Sequence, residues 1–143
     1  MAGERWLIDT GPLVAYVDAG DPAHHAVATA LGGFSGKLYT TAAVVTEAMH
    51  LVSEDSRGPG VLAGFLVATR ADIAGLTAPP DLQEAVRLMD EYRDTPMEFA
   101  DATLVVLASR LGVTEIATLD VRGFSTYRAA RKKPFRLVLP RRT

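Results

Sequence analysis

Four carboxylates stand where their neighbours are apolar. Asp9 ends the run Trp6-Leu7-Ile8, and Glu47 interrupts a stretch that runs from Ala42 to Val52. Asp101 lies between Phe99-Ala100 and Ala102–Ala108, and Asp120 closes Ile116-Ala117-Thr118-Leu119. An ionised carboxylate taken out of water is costly unless it is paired, hydrogen-bonded or bound to a cation. Four of them, spread along one chain, suggest an acidic pocket assembled by the fold. Hard oxygen donors in a chain without cysteine favour Mg²⁺ or Mn²⁺ over zinc. Such ions can activate water and stabilise a leaving oxygen in phosphodiester hydrolysis. His24, His25 and His50 do not oppose this, because no H-x-x-x-H pair exists among them.

Each acid also has a plainer reading. Asp is a good N-cap, so Asp9 and Asp120 could simply cap the turn or helix that each precedes. Glu47 could belong to a solvent-facing stripe with Thr46 and His50. Thr95-Pro96-Met97-Glu98 spells a capping box, with Thr95 at the cap, Pro96 in the first position and Glu98 in the third. That assigns Glu98 a structural role. Asp101 lies three residues further in, on a helix apolar almost all round and therefore expected between layers, where a charge calls for a cation or a site.

The elements that must position these acids alternate between strand and helix. Trp6–Asp9 reads as a buried strand, followed by a turn at Gly11-Pro12 and a short helix through Tyr16. Asp21-Pro22 opens a second helix with Asp21 as its cap, and Gly32-Gly33 ends it. Leu38–Thr41 is a strand, and Thr41 caps a helix to about Val52 whose inward stripe is Val45, Met49 and Val52. Beyond the loop Ser56–Gly60 come a helix to about Thr69 and a strand near Ile73–Leu76. Ala78-Pro79-Pro80 breaks the chain before an amphipathic helix, Leu82–Tyr92, with Val86 and Met89 inward. The apolar helix that holds Asp101 ends at Gly112, and Glu115–Leu119 and Phe135–Leu139 are the last strands. Such alternation predicts an α/β fold with a parallel sheet between helices. Asp9 and Asp120 then fall at carboxyl ends of strands, the edge where open α/β sheets bind ligands.

The 143 residues suit one domain, 1–143, with a core of its own. No apolar run approaches the ~18 residues of a membrane span, and the N-terminal residues do not read as a secretory leader. The absence of cysteine fits a reducing, cytoplasmic setting. Net charge is only −2, but it is unevenly spread. From Val121 onward there are eight bases and no acid: Arg122, Arg128, Arg131, Lys132, Lys133, Arg136, Arg141 and Arg142. The first 120 residues hold 7 Lys/Arg against 17 Asp/Glu, a balance of −10. Such a segment can face nucleic acid or an acidic partner, or it can be a solvated tail, and composition does not choose.

Taken in order, Leu7-Ile8-Asp9-Thr10 with Gly11-Pro12-Leu13-Val14, Val45-Thr46-Glu47, Phe99-Ala100-Asp101-Ala102, and Ile116–Asp120 followed by Gly123-Phe124 resemble the PIN-domain ribonucleases. The resemblance is strongest to the VapC-like toxins of toxin–antitoxin pairs, and it spans essentially the whole chain. It implies a three-layer α/β/α sandwich with a central, mostly parallel sheet, and endonucleolytic cleavage of single-stranded RNA with Mg²⁺ or Mn²⁺. By that resemblance Asp9, Glu47 and Asp101 are the core metal-site acids and Asp120 is the fourth. Thr10 and Thr118 match hydroxyl positions that orient them. The resemblance further implies an RNA substrate, a homodimer and a small cognate antitoxin. It departs at Gly123, where the family often has an acid.

Two other classes compete. A non-catalytic RNA- or protein-binding module of the same fold would keep the acids as a structural charge cluster. Phosphatase chemistry of the haloacid type would need a second Asp after Asp9-Thr10-Gly11 and a strand-end Lys, and neither is apparent. No phosphate-cradling G-x-x-x-x-G-K-[ST] run exists.

Overall fold

The computed structural model describes residues 3–140. Its frame is a five-stranded sheet of β1 (Arg5–Ile8), β2 (Lys37–Thr41), β3 (Asp72–Ala74), β4 (Glu115–Ala117) and β7 (Arg136–Leu137), in the order β3-β2-β1-β4-β7. Every neighbouring pair is parallel. Leu7, Ile8, Ile116 and Ala117 are fully buried, as expected of central parallel strands covered on both faces. Helices α1 (Thr10–Val17), α2 (His24–Gly32), α3 (Ala42–Val52), α4 (Gly58–Ala68), α5 (Pro79–Glu91), α6 (Phe99–Leu111) and α7 (Val121–Thr126) flank it. The architecture is the expected α/β sandwich. None of the described helices is long and apolar enough to cross a membrane.

From β1 the chain steps outward to β2 and β3, then crosses back to place β4 on the other side of β1. The order therefore reverses between β1 and β4. That opens a crevice outside their carboxyl ends, where Asp9 and Asp120 follow the strands.

Local chemistry explains the helices around this edge. Thr41 caps α3 as expected, accepting from Val44 N at 3.2 Å. Its hydroxyl also meets that of Thr103 at 2.8 Å. Thr103 donates its proton to Ala100 O at 2.7 Å, so Thr41 is the donor in that pair. This buried chain ties the start of α3 to the start of α6. Gly112 ends α6 with φ 68°, the left-handed conformation that glycine adopts without steric cost. On α6 the residues from Ala102 to Ala108 are all buried, as an all-apolar helix between layers requires.

Several details differ from the sequence reading. The second helix starts at His24, because Asp21 Oδ1 accepts from Ala23 N at 2.8 Å and closes a turn ahead of it. Gly11 and Pro12 belong to the first turn of α1. Pro79 and Pro80 open α5, where a missing N–H costs nothing. α5 buries Ala85 and Leu88, leaving Val86 60% exposed, and α3 buries Val44, Ala48 and Val52. Val52 is buried as expected and Val45, Met49 and Met89 pack half-buried against the core, so Val86 alone is turned out, while small Ala48 and Ala85 make the closest approach. His24 Nδ1 lies 2.7 Å from Ala15 O and fastens α2 to α1. The short helix α7 and the antiparallel ribbon of β5 (Arg128–Ala129) and β6 (Lys133–Pro134) were not expected.

Candidate functional site

Asp9 is the N-cap of α1, immediately beyond β1. Its backbone N–H continues the β1–β4 ladder to Ala117 O at 3.0 Å, which sets it opposite Thr118. Its Oδ1 accepts from Thr10 N and its Oδ2 from Thr118 Oγ1, both at 2.8 Å. The Thr118 hydroxyl in turn accepts from Asp120 N at 3.0 Å, so one buried hydroxyl joins the two strand-end acids. Asp120 caps α7 through Gly123 N at 2.9 Å and is otherwise exposed. A Cβ on Gly123 would lie 2.2 Å from Asp120 Oδ2. The residue where the resemblance departs is thus the one that lets this cap close.

Asp101 projects from the first turn of α6, and its Oδ2 accepts from Glu98 N at 3.0 Å. This reverses the expected capping box. The helix begins at Phe99, Glu98 is the N-cap, and Asp101 is the third-position acid that reaches back. Thr95 is not the cap. Glu98 does not fold back onto its own helix but joins the acids. It raises the carboxyl pKa of Glu47 and of Asp101, and it lines one open depression with Glu47, His50 and Phe99. The signal for this lay in Glu98-Phe99-Ala100-Asp101, where an acid at the third helical position is itself a capping pattern.

The electrostatics place the acids in one field. Asp9 is only 6% exposed, and its pKa is pushed up to about 6, first by burial, against the bonds from Thr118 and Thr10 and with help from Asp120 and Glu47. Asp101 is pushed up to about 7, again first by burial, then by Asp9, Asp120 and Glu98 against its bond from Glu98 N. Glu47, half-buried in the middle of α3, is raised by burial and then by Glu98. Beneath them the Tyr127 hydroxyl donates to Pro96 O at 2.7 Å, and burial and then the surrounding carboxylates drive its pKa up. Thr10 Oγ1 is close enough to Glu47 to lower that carboxyl's pKa, yet it is buried with no hydrogen bond of ordinary geometry.

A hard divalent cation fits the donor chemistry of this edge. It would relieve the mutual repulsion, favour the ionised carboxylates and give the unsatisfied Thr10 hydroxyl a polar neighbour. Among the described residues no three His, Asp or Glu side chains are yet gathered in an arrangement that could hold a metal. The acids converge as a field without being closed as a ligand set.

The basic C-terminal segment does not collect at this edge. Arg122, two residues past Asp120, lies near it. Arg128 Nη1 donates to the carbonyls of Ser125, Thr126 and Tyr127 at 2.9, 3.1 and 2.9 Å. Arg136 pairs with Glu115 at the opening of β4. The β5–β6 ribbon is anchored to the far end of α6, where Ser109 Oγ accepts from Ala130 N at 2.9 Å. Eight residues of helix, ~12 Å, separate Ser109 from Asp101. Arg141 and Arg142 lie outside the described residues.

Known proteins resemble the chain in sequence and in fold. No family model matches the chain. Ribonuclease VapC26 of Mycobacterium tuberculosis is 35% identical over 124 residues, which cover 85% of this chain and 91% of that protein. The crystal structure of Mycobacterium tuberculosis VapC20, described as a sarcin-ricin loop cleaving toxin, superposes with a TM-score of 0.77. It covers 96% of this chain and 100% of that one at 18% identity, and so shares the fold.

Proposed function

This chain belongs to the VapC family of PIN-domain proteins, and we propose that it is a metal-dependent endoribonuclease that hydrolyses single-stranded RNA as the toxin of a type II toxin–antitoxin system. The observation that carries the reading is that Asp9, Glu47, Asp101 and Asp120 act on one another's charge at the carboxyl edge of β1 and β4. There burial and like charge hold protons on Asp9 and Asp101 toward neutral pH. Perturbed carboxyls gathered in a cleft are a mark of sites that do chemistry.

In this reading Asp9, Glu47 and Asp101 would hold Mg²⁺ or Mn²⁺, with Asp120 beside them. When bound, the cation supplies a Lewis acid for a phosphate oxygen and lowers the pKa of water. The chain's own part is to fix the acids. Thr118 holds the Asp9 carboxylate in one orientation and steadies the backbone of Asp120. Asp120, capped onto α7 and exposed at the rim, would stand as the fourth acid of the set. Thr118→Val keeps the shape and removes both hydrogen bonds. It is expected to reduce cleavage roughly 10–100-fold, the scale of losing a partner that orients a metal ligand. A variant as active as the parent would remove Thr118 from the site.

The partners follow from the same reading. Phe99, Leu119 and Val121, 37–39% exposed, stand in sequence beside the acids and offer apolar surface to a small antitoxin. A homodimer is part of the proposal, and a monomer in light scattering would count against it. One observation favours the alternative of a non-catalytic binding module: the acids are not gathered as a ligand set. The deciding experiment incubates the purified chain with labelled single-stranded RNA and millimolar Mn²⁺ or Mg²⁺. Internal cleavage that stops on chelation supports the nuclease. Intact RNA, with no Mn²⁺ binding by titration, supports the module.

A further inference from the structure

The hairpin at the far end of α6 has a feature that cleavage chemistry does not require. β5 and β6 pair antiparallel, and the turn between them puts Arg131 at φ 61° and Lys132 at φ 58°. Turns that need positive φ are ordinarily supplied by Gly, Asn or Asp, because a longer side chain crowds its own backbone there. Two consecutive bases occupy these positions instead. Both are exposed, and among the described residues neither has an ion-pair partner. Ala130 N, bonded to Ser109 Oγ, holds the turn on α6 and leaves the two basic side chains in solvent beside it.

The surroundings indicate what they meet. Arg131, Lys132 and Arg128 line a pocket of about 330 Å³ against α5. The acids on its far wall, Glu84 and Glu91, are already held by Arg87 at 2.7 and 2.9 Å. One negative charge therefore remains against the three bases Arg128, Arg131 and Lys132, and the balance of the pocket is positive. A polyanion drawn to the four acids is repelled by them and by the −10 balance of the first 120 residues, so cations within reach must compensate. Along the chain Arg122 comes two residues after Asp120, Arg128 opens β5, and the hairpin turn follows. Along the buried α6 the hairpin's anchor Ser109 is ~12 Å from Asp101, so at ~3.4 Å per phosphate a strand passing over the surface needs at least three or four nucleotides to reach both.

We propose that the Arg131-Lys132 hairpin is a second RNA-contact surface, gripping the phosphate backbone of the strand whose cleaved bond lies at Asp9. It rests on the ribonuclease reading above. The test uses Arg131→Asn/Lys132→Gly, which installs residues suited to the turn, and Lys132→Gln, which keeps the strain and removes one charge. Affinity for a fluorescent single-stranded 12-mer and a 3-mer is measured by anisotropy against salt, alongside thermal melts. The double variant is expected to melt higher than the parent yet bind the 12-mer roughly tenfold more weakly, with its salt slope smaller by ~1.4. Lys132→Gln should lose ~0.7 of slope at unchanged melting temperature, and the 3-mer should bind all three proteins alike. Unchanged 12-mer affinity and slope would overturn the proposal, as would a loss of affinity with a lower melting temperature. Retained RNA affinity with lost binding of polyglutamate would overturn it in favour of an acidic protein partner. If the parent cleaves RNA and the variants bind it equally well, this proposal alone fails. If the parent neither binds nor cleaves RNA, the ribonuclease reading fails with it.

Discussion

Asp9→Asn is expected to abolish RNA cleavage while making the metal-free protein more stable at pH 8. The two effects have one cause. Asp9 is buried at the switch point, and its carboxyl holds its proton up to about 6 instead of the ordinary 3.8. At pH 8 the charge is present and unwelcome, at a cost of about 3 kcal/mol for a displacement of roughly two units. Asparagine removes that charge with almost no change of shape. It can still accept from Thr10 N, but its amide faces Thr118 Oγ1, whose proton must find another acceptor. That returns about 1 kcal/mol of the gain. The net stabilisation is then about 2 kcal/mol, visible as a higher melting temperature in chelator. Activity should fall by more than the roughly hundredfold that loss of an orienting partner costs, because the residue itself faces the reaction. Stability gained where function is lost is the expected signature of a strained active site. Cleavage near the parent rate would exclude Asp9 from the chemistry. Lost cleavage with a lower melting temperature would mean that the residue serves packing.

The metal-free parent should also become less stable as pH rises from 4 to 7, and Mn²⁺ or Mg²⁺ should reverse the loss. Asp9 and Asp101 bind protons more tightly in the folded chain, to about 6 and about 7, than an ordinary aspartate does at 3.8. Folding therefore takes up protons across that window, and stability falls as pH climbs through it. Well below pH 3.8 both groups are neutral folded or unfolded and the penalty is absent. The share of Asp9 is complete above about 7 and that of Asp101 above about 8. Asp9 accounts for about 3 kcal/mol, while Asp101 is only half-buried and water screens much of its share. A divalent cation reverses the preference by favouring the ionised forms, and binding to the folded state alone adds stability by mass action. Melts at pH 4, 5.5 and 7.5, with chelator and with millimolar Mn²⁺, read this directly. A melting temperature that rises from pH 4 to 7.5 in chelator would contradict the buried, repelling acids. So would an indifference to Mn²⁺ at pH 7.5.

Most elements were legible in the chain because their causes are local. The apolar run before Asp9, the Thr41 cap, the all-apolar helix after Asp101 and the Gly112 stop each lie within a few residues of what they specify. The failures were also local, and each had a competing pattern. Thr95-Pro96-Met97-Glu98 and Glu98-Phe99-Ala100-Asp101 both satisfy capping geometry, and the second prevails because the helix begins at Phe99. Val86 and Met89 share a helical stripe as well as Ala85 and Leu88 do; Met89 keeps a half-buried place against the core, and Ala85 takes the contact in place of Val86.

The sequence by itself determined most of the elements, their order and the kind of chemistry the acids suit, since hydrophobic period, capping residues and donor type act at short range. Only the tertiary structure decided which polar groups meet. Thr118 reaches Asp9 across 109 residues because β1 and β4 run side by side in register. Glu98, at the start of α6, joins Glu47, in the middle of α3, because the two helices pack against each other beside β2. The basic segment turns away from the acids for the same kind of reason: β7 runs parallel to β4, so Arg136 at its start must stand at the amino edge beside Glu115. Strand direction settles where a charge ends up, and it is fixed by pairing between distant segments rather than by the residues that carry the charge.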